Sequence, residues 1–368
     1  MRTDTDTQAV STNDAKTTIV VTPRERFGLA VRSLNSIVDL TKGAYDLVYV
    51  DGNAPASIAR QLREICAAAG FRYVRRNHFL SPNQARNIGL AQANTRYIAF
   101  IDNDVIVTPS WLVELQRCAD ETGAEVVTPI TCQSEPLHSQ IHQAGGEITA
   151  DLGKFFSGPA SERRLIDRHI QQGKPIEVAT DTRTDVQACE FHCVLARRDL
   201  FDAIGPFDEK LLATKEHIDF SLTVWATGGR VVLEPKSIVT YLFPAGANRL
   251  QPADWPYFAL RWSPAWLKAS LQHFQHKWDC PEDPYFERRI ATLGWRHREG
   301  IVRPTIKRFP WLARRGRLGR AVANMGNKAV DVWSARMADR QARQSAEQSG
   351  HVQPQRTISS DREFPVHS

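Results

Sequence analysis

The sequence predicts an α/β fold: a mostly parallel sheet covered by helices on both faces, followed by a helical C-terminal extension. Three observations carry this. Short β-branched runs alternate with helical stretches through the first 130 residues. Those runs are almost continuously apolar, as strands buried on both faces are. With 368 residues, 42% hydrophobic and 24% charged, the chain can also build a full core with room for extensions.

The elements follow in order. "TTIVVT" (17–22) reads as a strand and 27–38 as a helix. "YDLVYV" (45–50) is a second strand, ending at the turn signal Asp51-Gly52-Asn53. "APASIARQLREICAAAG" (54–70) has helical spacing and a terminal Gly, and "FRYVRR" is a third strand. "SPNQARNIGLAQAN" (81–94) opens with Ser-Pro, a good N-cap and N1 pair. "RYIAFID" (96–102) is the fourth strand, "TPSWLVELQRCADETG" (108–123) a helix opened by Thr-Pro, and "AEVVTPI" closes the series.

Beyond this, "QAGGEITADLGKFF" (143–156) reads as a hairpin and 157–184 as a mobile polar loop. "VQACEFHCVLARRDLF" (186–201) is a strand entering a helix, and "EHIDFSLTVWATGG" (216–229) is a helix ended by Gly. "RVVLEP" and "SIVTYLF" are two further strands. The expected organisation is a disordered N-terminus (1–16) and a main domain (17–250) with halves 17–130 and 131–250. An aromatic-rich extension (251–300), a basic helical segment (301–343) and a disordered tail (344–368) follow.

The polar, Thr/Asp-rich N-terminus has no apolar core of a signal peptide, and no window holds the roughly 18 apolar residues that span a bilayer. Six scattered cysteines without a CxxC pair read as reduced thiols, hence a cytoplasmic protein. Cys189, His192 and Cys193 lack the second ligand pair a zinc site needs. Between Ile301 and Arg343 eleven Lys/Arg face two Asp. That surplus of nine exceeds the net charge of +6, so the remainder is about −3 and nucleic acid is not an expected partner. The basic segment mixes Arg with Leu, Val, Met and Trp. It suits either an anionic membrane surface or a solvated helix packed on the main domain.

In a parallel sheet the ligand lies beyond the carboxyl ends of the strands. Asp51 falls at such an end, and "YIAFIDNDV" (97–105) runs a hydrophobic strand into Asp102 and Asp104. Two carboxylates one residue apart suit a hard cation, Mg²⁺ or Mn²⁺, that also holds phosphate oxygens. A D-x-D alone reads more readily as a solvated turn.

From Thr17 to Tyr241 the chain resembles the nucleotide-sugar-dependent glycosyltransferases of family 2, with the GT-A (Rossmann-like) fold. The resemblance is carried by "TIVVTPRERF", "LVYVDGNAP", "SPNQARNIGLAQANTRYIAFIDNDV" and "CVLARRDLFDAIGPFDEKLLATKEHIDFSLTVWATGGRVVLEPKSIV". It implies transfer of a sugar from a nucleotide donor, a UDP-sugar first, to a glycan or lipid-linked acceptor, with inversion. Asp102 and Asp104 would bind Mn²⁺ or Mg²⁺ on the donor diphosphate. Arg86 would sit near the diphosphate or the donor sugar, Asp51 would accept from the nucleobase, and Pro23, Arg24 and Asn103 would shape the donor cleft. On a continuous strand through "CEFHC", Glu190 and His192 would face the donor sugar together.

The chain departs from the family pattern in three places. Glu25 and Arg26 replace the usual Tyr and Asn of the opening loop, Tyr241 stands where many relatives have a metal-binding His, and Glu216-His217 replaces Glu-Asp. In a helix starting near Lys215, Glu216 and Asp219 share a face and His217 points about 100° away. Glu216 is the preferred general base and His217 the second candidate, and Asp219 is expected to pair with an arginine. A nicotinamide dehydrogenase lacks its glycine cradle here and a nucleotidyltransferase its Gly-rich loop. The remaining alternative is a catalytically inactive sugar-nucleotide-binding or scaffold protein.

Overall fold

A computed structural model describes residues 16–24, 26–243, 249–309 and 316–349. The expected disordered N-terminus (but for residue 16), Glu25 and the tail beyond 349 lie outside the described residues. The strands are β1 (Thr17–Thr22), β2 (Asp46–Gly52), β3 (Arg72–Arg76), β4 (Tyr97–Asp102), β5 (Val105–Val107) and β6 (Val126–Gln133). Then come β7 (Ile141–Gln143), β8 (Gly146–Glu147), β9 (Arg168–His169), β10 (Thr184–Asp185), β11 (Cys193–Arg197) and β12 (Val231–Tyr241). The main sheet runs β10-β12-β6-β11-β4-β1-β2-β3, with β5 on β12 and β7 on β6. β1, β2, β3 and β4 are parallel, β11 lies antiparallel between β4 and β6, and β12 is parallel to β6.

Helices cover both faces, and the residues of the central strands between them are buried, which explains their unbroken apolar runs. The early ones are α1 (Ala30–Leu40), α2 (Ala56–Ala68), α3 (Pro82–Leu90) and α4 (Trp111–Thr122). α3 opens on the expected cap, since Ser81 Oγ accepts from Gln84 N and the Gln84 side chain accepts from Ser81 N. Gly89 packs α3 against β1 so closely that a Cβ there would meet Val20 Cγ1 at 2.1 Å. α4 begins two residues later than Thr-Pro suggests, because the Thr108 hydroxyl donates to Ile238 O instead of capping. After it come the short α5 (Leu152–Ser157) and α6 (Leu200–Ile204), then α7 (Glu216–Ala226), α8 (Trp255–Arg261) and α9 (Pro264–Lys277).

Three expectations are revised. The two strands expected around Pro235 are one strand, β12, bulged between Glu234 and Ile238 where proline cannot donate to the ladder. The expected hairpin at 143–156 does not form: β7 pairs with β6, β8 pairs with β9, and α5 follows. Residues 157–184 are no loose loop. β9 docks on β8, and the segment sends Asp167 to Lys215 at the start of α7 and His169 to Glu190.

The aromatic-rich extension packs on the sheet domain. The Tyr257 hydroxyl donates to Leu80 O at 2.5 Å, and Lys277 pairs with Asp219. The C-terminal helix Gly316–Ser349 lies on this layer through Ala338, Met337 and Val330. No helix of the described residues is long and apolar enough to cross a membrane.

Candidate active site

β1 stands between β2 and β4, so the strand order reverses there and a crevice opens beyond the strand ends. The register sets Thr22 beside Asp102. Asn103 ties the two following loops together, its N–H donating to Thr22 O at 3.0 Å and its Oδ1 accepting from Arg24 N at 2.8 Å. Arg24 Nη1 then donates to Asp102 Oδ2 at 2.8 Å, and Arg26 donates twice to Asp104 Oδ2, at 3.3 and 3.2 Å. Arg86 of α3 lies 3.8 Å from Asp102 Oδ1, with its guanidinium 3.6 Å above the Phe191 ring. The doubled negative charge is thus answered by three buried or nearly buried guanidiniums.

Burial pushes the pKa of both carboxyls up. For Asp102 the pull of Arg24, His192 and Arg86 outweighs burial and holds the group at about 2. For Asp104 burial prevails over Arg26 and Arg24, helped by the charge on Asp102, and the value is raised. Burial likewise lowers Arg86 to about 10 against the pull of Asp102 and Glu216. Asp104 Oδ1 is buried and has no hydrogen-bond partner among the described residues.

The antiparallel register of β11, with Cys193 beside Ile101, sets His192 opposite Asp102, and Asp102 N donates to His192 O at 3.2 Å. His192 Nδ1 lies 3.2 Å from Asp102 Oδ2 without an aligned hydrogen bond. Its ring stacks on Tyr241, with centroids 4.0 Å apart and planes at 21°. The expected strand through "CEFHC" begins only at Cys193, and residues 191 and 192 form a turn. Glu190 and His192 therefore do not share a strand face. His192 faces the aspartates, while Glu190 Oε1 faces His169 at 3.2 Å and His217 at 3.5 Å.

Asp51 is buried at the end of β2, where Oδ1 accepts from Ala54 N at 2.7 Å and Oδ2 takes Arg75 and the Tyr73 hydroxyl. Pro23 is buried against Gly52, joining the ends of β1 and β2 into one wall.

α7 starts at Glu216 from Lys215, a non-glycine residue at φ 72°. This strained conformation buries the Lys215 amine against Asp167 at 2.5 Å and the Tyr285 hydroxyl. Glu216 Oε1 accepts from Arg261 Nη2 at 3.1 Å, whereas His217 Nε2 turns to Glu190 and, at 4.0 Å, Asp167. Asp219 is drawn away to Lys277 and Trp278 Nε1, its partners being a lysine and an indole rather than an arginine. Burial pushes His217 below its usual value in spite of Glu190 and Asp167. Burial would raise Glu190, but His217 and His169 beside it hold it well below the carboxylate range.

Arg261, Asp167 and His169 are site neighbours that sequence reasoning missed. They come from segments with no local motif.

The chain matches the description "Glycosyl transferase family 2" over residues 18–205. It is 24% identical over 225 residues to the uncharacterized protein y4gI of Sinorhizobium fredii, covering 59% of this chain and 23% of that protein. It is 27% identical over 147 residues to an uncharacterized glycosyltransferase of Rickettsia felis, covering 40% of this chain and again 23% of the relative. The chain thus spans under a quarter of the length of these curated relatives. The crystal structure of GalNAc-T7 with UDP, GalNAc and Mn²⁺ aligns with TM-score 0.49 and 16% identity, over 75% of this chain and 56% of that one. The S. aureus TarS 1-349 structure aligns with TM-score 0.43 and 14% identity, over 90% and 92%. By the family match, which covers half of its length, the chain belongs to glycosyl transferase family 2.

Proposed function

We propose that this chain transfers a sugar from a nucleoside-diphosphate donor, a UDP-sugar first, to a hydroxyl of a glycan or lipid-linked acceptor, with inversion. The observation that carries the reading is the buried Asp102/Asp104 pair at the switch point, faced by Arg24, Arg26 and Arg86. The residues fit a divalent cation, Mn²⁺ or Mg²⁺, since Asp104 offers a buried oxygen with no hydrogen-bond partner among the described residues. When bound by Asp102 and Asp104, the cation would offset charge on the departing diphosphate.

The chain's own residues supply the rest. Arg24, Arg26 and Arg86 are fixed positive charges aimed at the same leaving group, needing little reorganisation as charge develops. Asp51 retains acceptor capacity for a nucleobase N–H, with Pro23 as the wall beside it. His217, rather than the expected Glu216, is the general base. Glu216 gives Oε1 to Arg261, a partner that favours its weakly basic ionised form, and keeps only Oε2 without a hydrogen bond among the described residues. With its Nε2–H toward Glu190 and Asp167, His217 keeps the lone pair on Nδ1. The acceptor proton passes there as the acceptor oxygen attacks the anomeric carbon and the nucleoside diphosphate leaves on the opposite side. Asp219 holds the extension in place through Lys277.

The outer face of the helix Gly316–Ser349 exposes Met325, Val332 and Trp333 among Lys328, Arg336 and Arg340. This mixture supports binding to an anionic membrane surface, which would bring a cytoplasmic enzyme to lipid-linked acceptors. The donor assignment is tested by thermal shift across UDP-, GDP- and dTDP-sugars with and without Mn²⁺. Stabilisation by a UDP-sugar that needs Mn²⁺ supports it, and no shift with any sugar nucleotide contradicts it.

A further inference from the structure

The geometry points to His192 as the third protein ligand of the divalent cation, an inference that rests on the metal-dependent reading above. Asp102, Asp104 and His192 bring one ligand atom each within 4.8 Å of one another, and all three side chains are buried. Two polar atoms of these side chains, Asp104 Oδ1 and His192 Nδ1, have no aligned hydrogen bond among the described residues, His192 Nδ1 standing 3.2 Å from Asp102 Oδ2. A buried acceptor left unmade is costly, so two in one cluster mark a site made for something that satisfies both. The hydrogen bonds from Arg24 and Arg26 to the aspartates described above fall on Asp102 Oδ2 and Asp104 Oδ2, not on Asp104 Oδ1.

Tyr241 is what makes His192 available. The tyrosine lays its ring on the His192 imidazole at 4.0 Å and fixes the plane of that ring. The register of β11 on β4 sets the distance along the strand. A second group, His142, His169 and Glu190, also lies close together. Its atoms are already engaged, His169 Nε2 by Glu190 at 3.2 Å and His142 Nδ1 by Gln133 Oε1 at 3.2 Å.

One imidazole with two carboxylates has a consequence for the metal. Nitrogen donors favour later first-row ions, whereas Mg²⁺ prefers oxygen alone, so the site should rank Co²⁺ over Mn²⁺ and both over Mg²⁺.

The test is pulsed EPR of Mn²⁺ added alone to the full chain, which detects a coordinated imidazole nitrogen, together with calorimetric titration of Mn²⁺ and Mg²⁺. The expected result is a nitrogen coupling in the wild type that survives His142→Gln and His169→Gln and disappears in His192→Gln. The same His192→Gln variant should lose about tenfold or more in Mn²⁺ affinity and much less for Mg²⁺. The wild-type spectrum decides even if His192→Gln fails to fold. Mn²⁺ binding that needs Asp104 but shows no nitrogen coupling overturns the His192 assignment and leaves metal dependence standing. A coupling lost in His142→Gln or His169→Gln moves the ligand elsewhere and also overturns it. No Mn²⁺ binding at all overturns both.

Discussion

His217 Nε2 stands 3.5 Å from the Glu190 carboxylate, a contact between the first turn of α7 and the turn that precedes β11. The pair gives a histidine the setting of a general base, with one nitrogen held by an anion and the other left for the acceptor. Because burial lowers the His217 pKa, the neutral form persists below the usual value of about 6.5. The kcat/KM profile should therefore be flat near neutrality and fall on acidification, with its midpoint under about 6.5. His217→Asn should lose about a hundredfold or more and abolish that acid limb, with Glu216→Gln milder. A pH–rate series on the three proteins checks this, and the reverse pattern returns the role to Glu216.

Asp167 holds the buried Lys215 amine at the strained start of α7. Asp167→Asn would leave that charge unpaired and should cost about 3–5 kcal/mol of stability at neutral pH. Burial would raise the Asp167 carboxyl, but Lys215, His217 and Arg289 hold it far below the usual range. A depressed carboxyl stabilises the fold above its unfolded pKa of about 3.9, and loses that contribution as pH falls toward the folded value. The gap between wild type and Asp167→Asn should therefore narrow only below about pH 4. Urea unfolding at several pH values measures it.

Gly89→Ala should destabilise by about 1–3 kcal/mol, since the added Cβ meets the buried Val20 at 2.1 Å. Pairing it with Val20→Ala should recover part of the loss, through relief of the same clash. Thermal unfolding of the single and double variants decides.

The sheet was readable because its strands are continuous apolar runs, and the aspartates because they interrupt one of them. The pairing of Asp102 and Asp104 with Arg24 and Arg26 was not readable. It depends on β1 and β4 being neighbours, a fact of topology about eighty residues wide in sequence. His192 was picked out on strand alternation, yet it reaches the aspartates by register across β11 and β4. Asp167 and His169 escaped because a segment without periodicity acquires its place only from what it docks against. Thr-Pro before α4 and the run around Pro235 misled for local reasons, a hydroxyl used elsewhere and a bulge that keeps one strand continuous.

The exposed face of the C-terminal helix makes a prediction about location. Lys328→Glu, Arg336→Glu and Arg340→Glu together should greatly weaken co-sedimentation with anionic liposomes, since each basic residue near the surface contributes on the order of 1 kcal/mol. These side chains point outward, so the fold should be unaffected. Equal sedimentation of wild type and variant would leave the helix as a packing element alone.

The central claim is that sugar transfer runs through the Asp102/Asp104 pair and a divalent cation. Its most direct measurement is release of nucleoside diphosphate from the preferred sugar nucleotide, with wild type and Asp104→Asn assayed in Mn²⁺ and in EDTA. Asp104→Asn removes a charge and almost no volume, so it should fold and bind far less metal. Full turnover should need the wild type with Mn²⁺, and Asp104→Asn should be slower by a hundredfold or more (about 3 kcal/mol of transition-state stabilisation). Full wild-type turnover in EDTA, or near-normal turnover by Asp104→Asn, would contradict it.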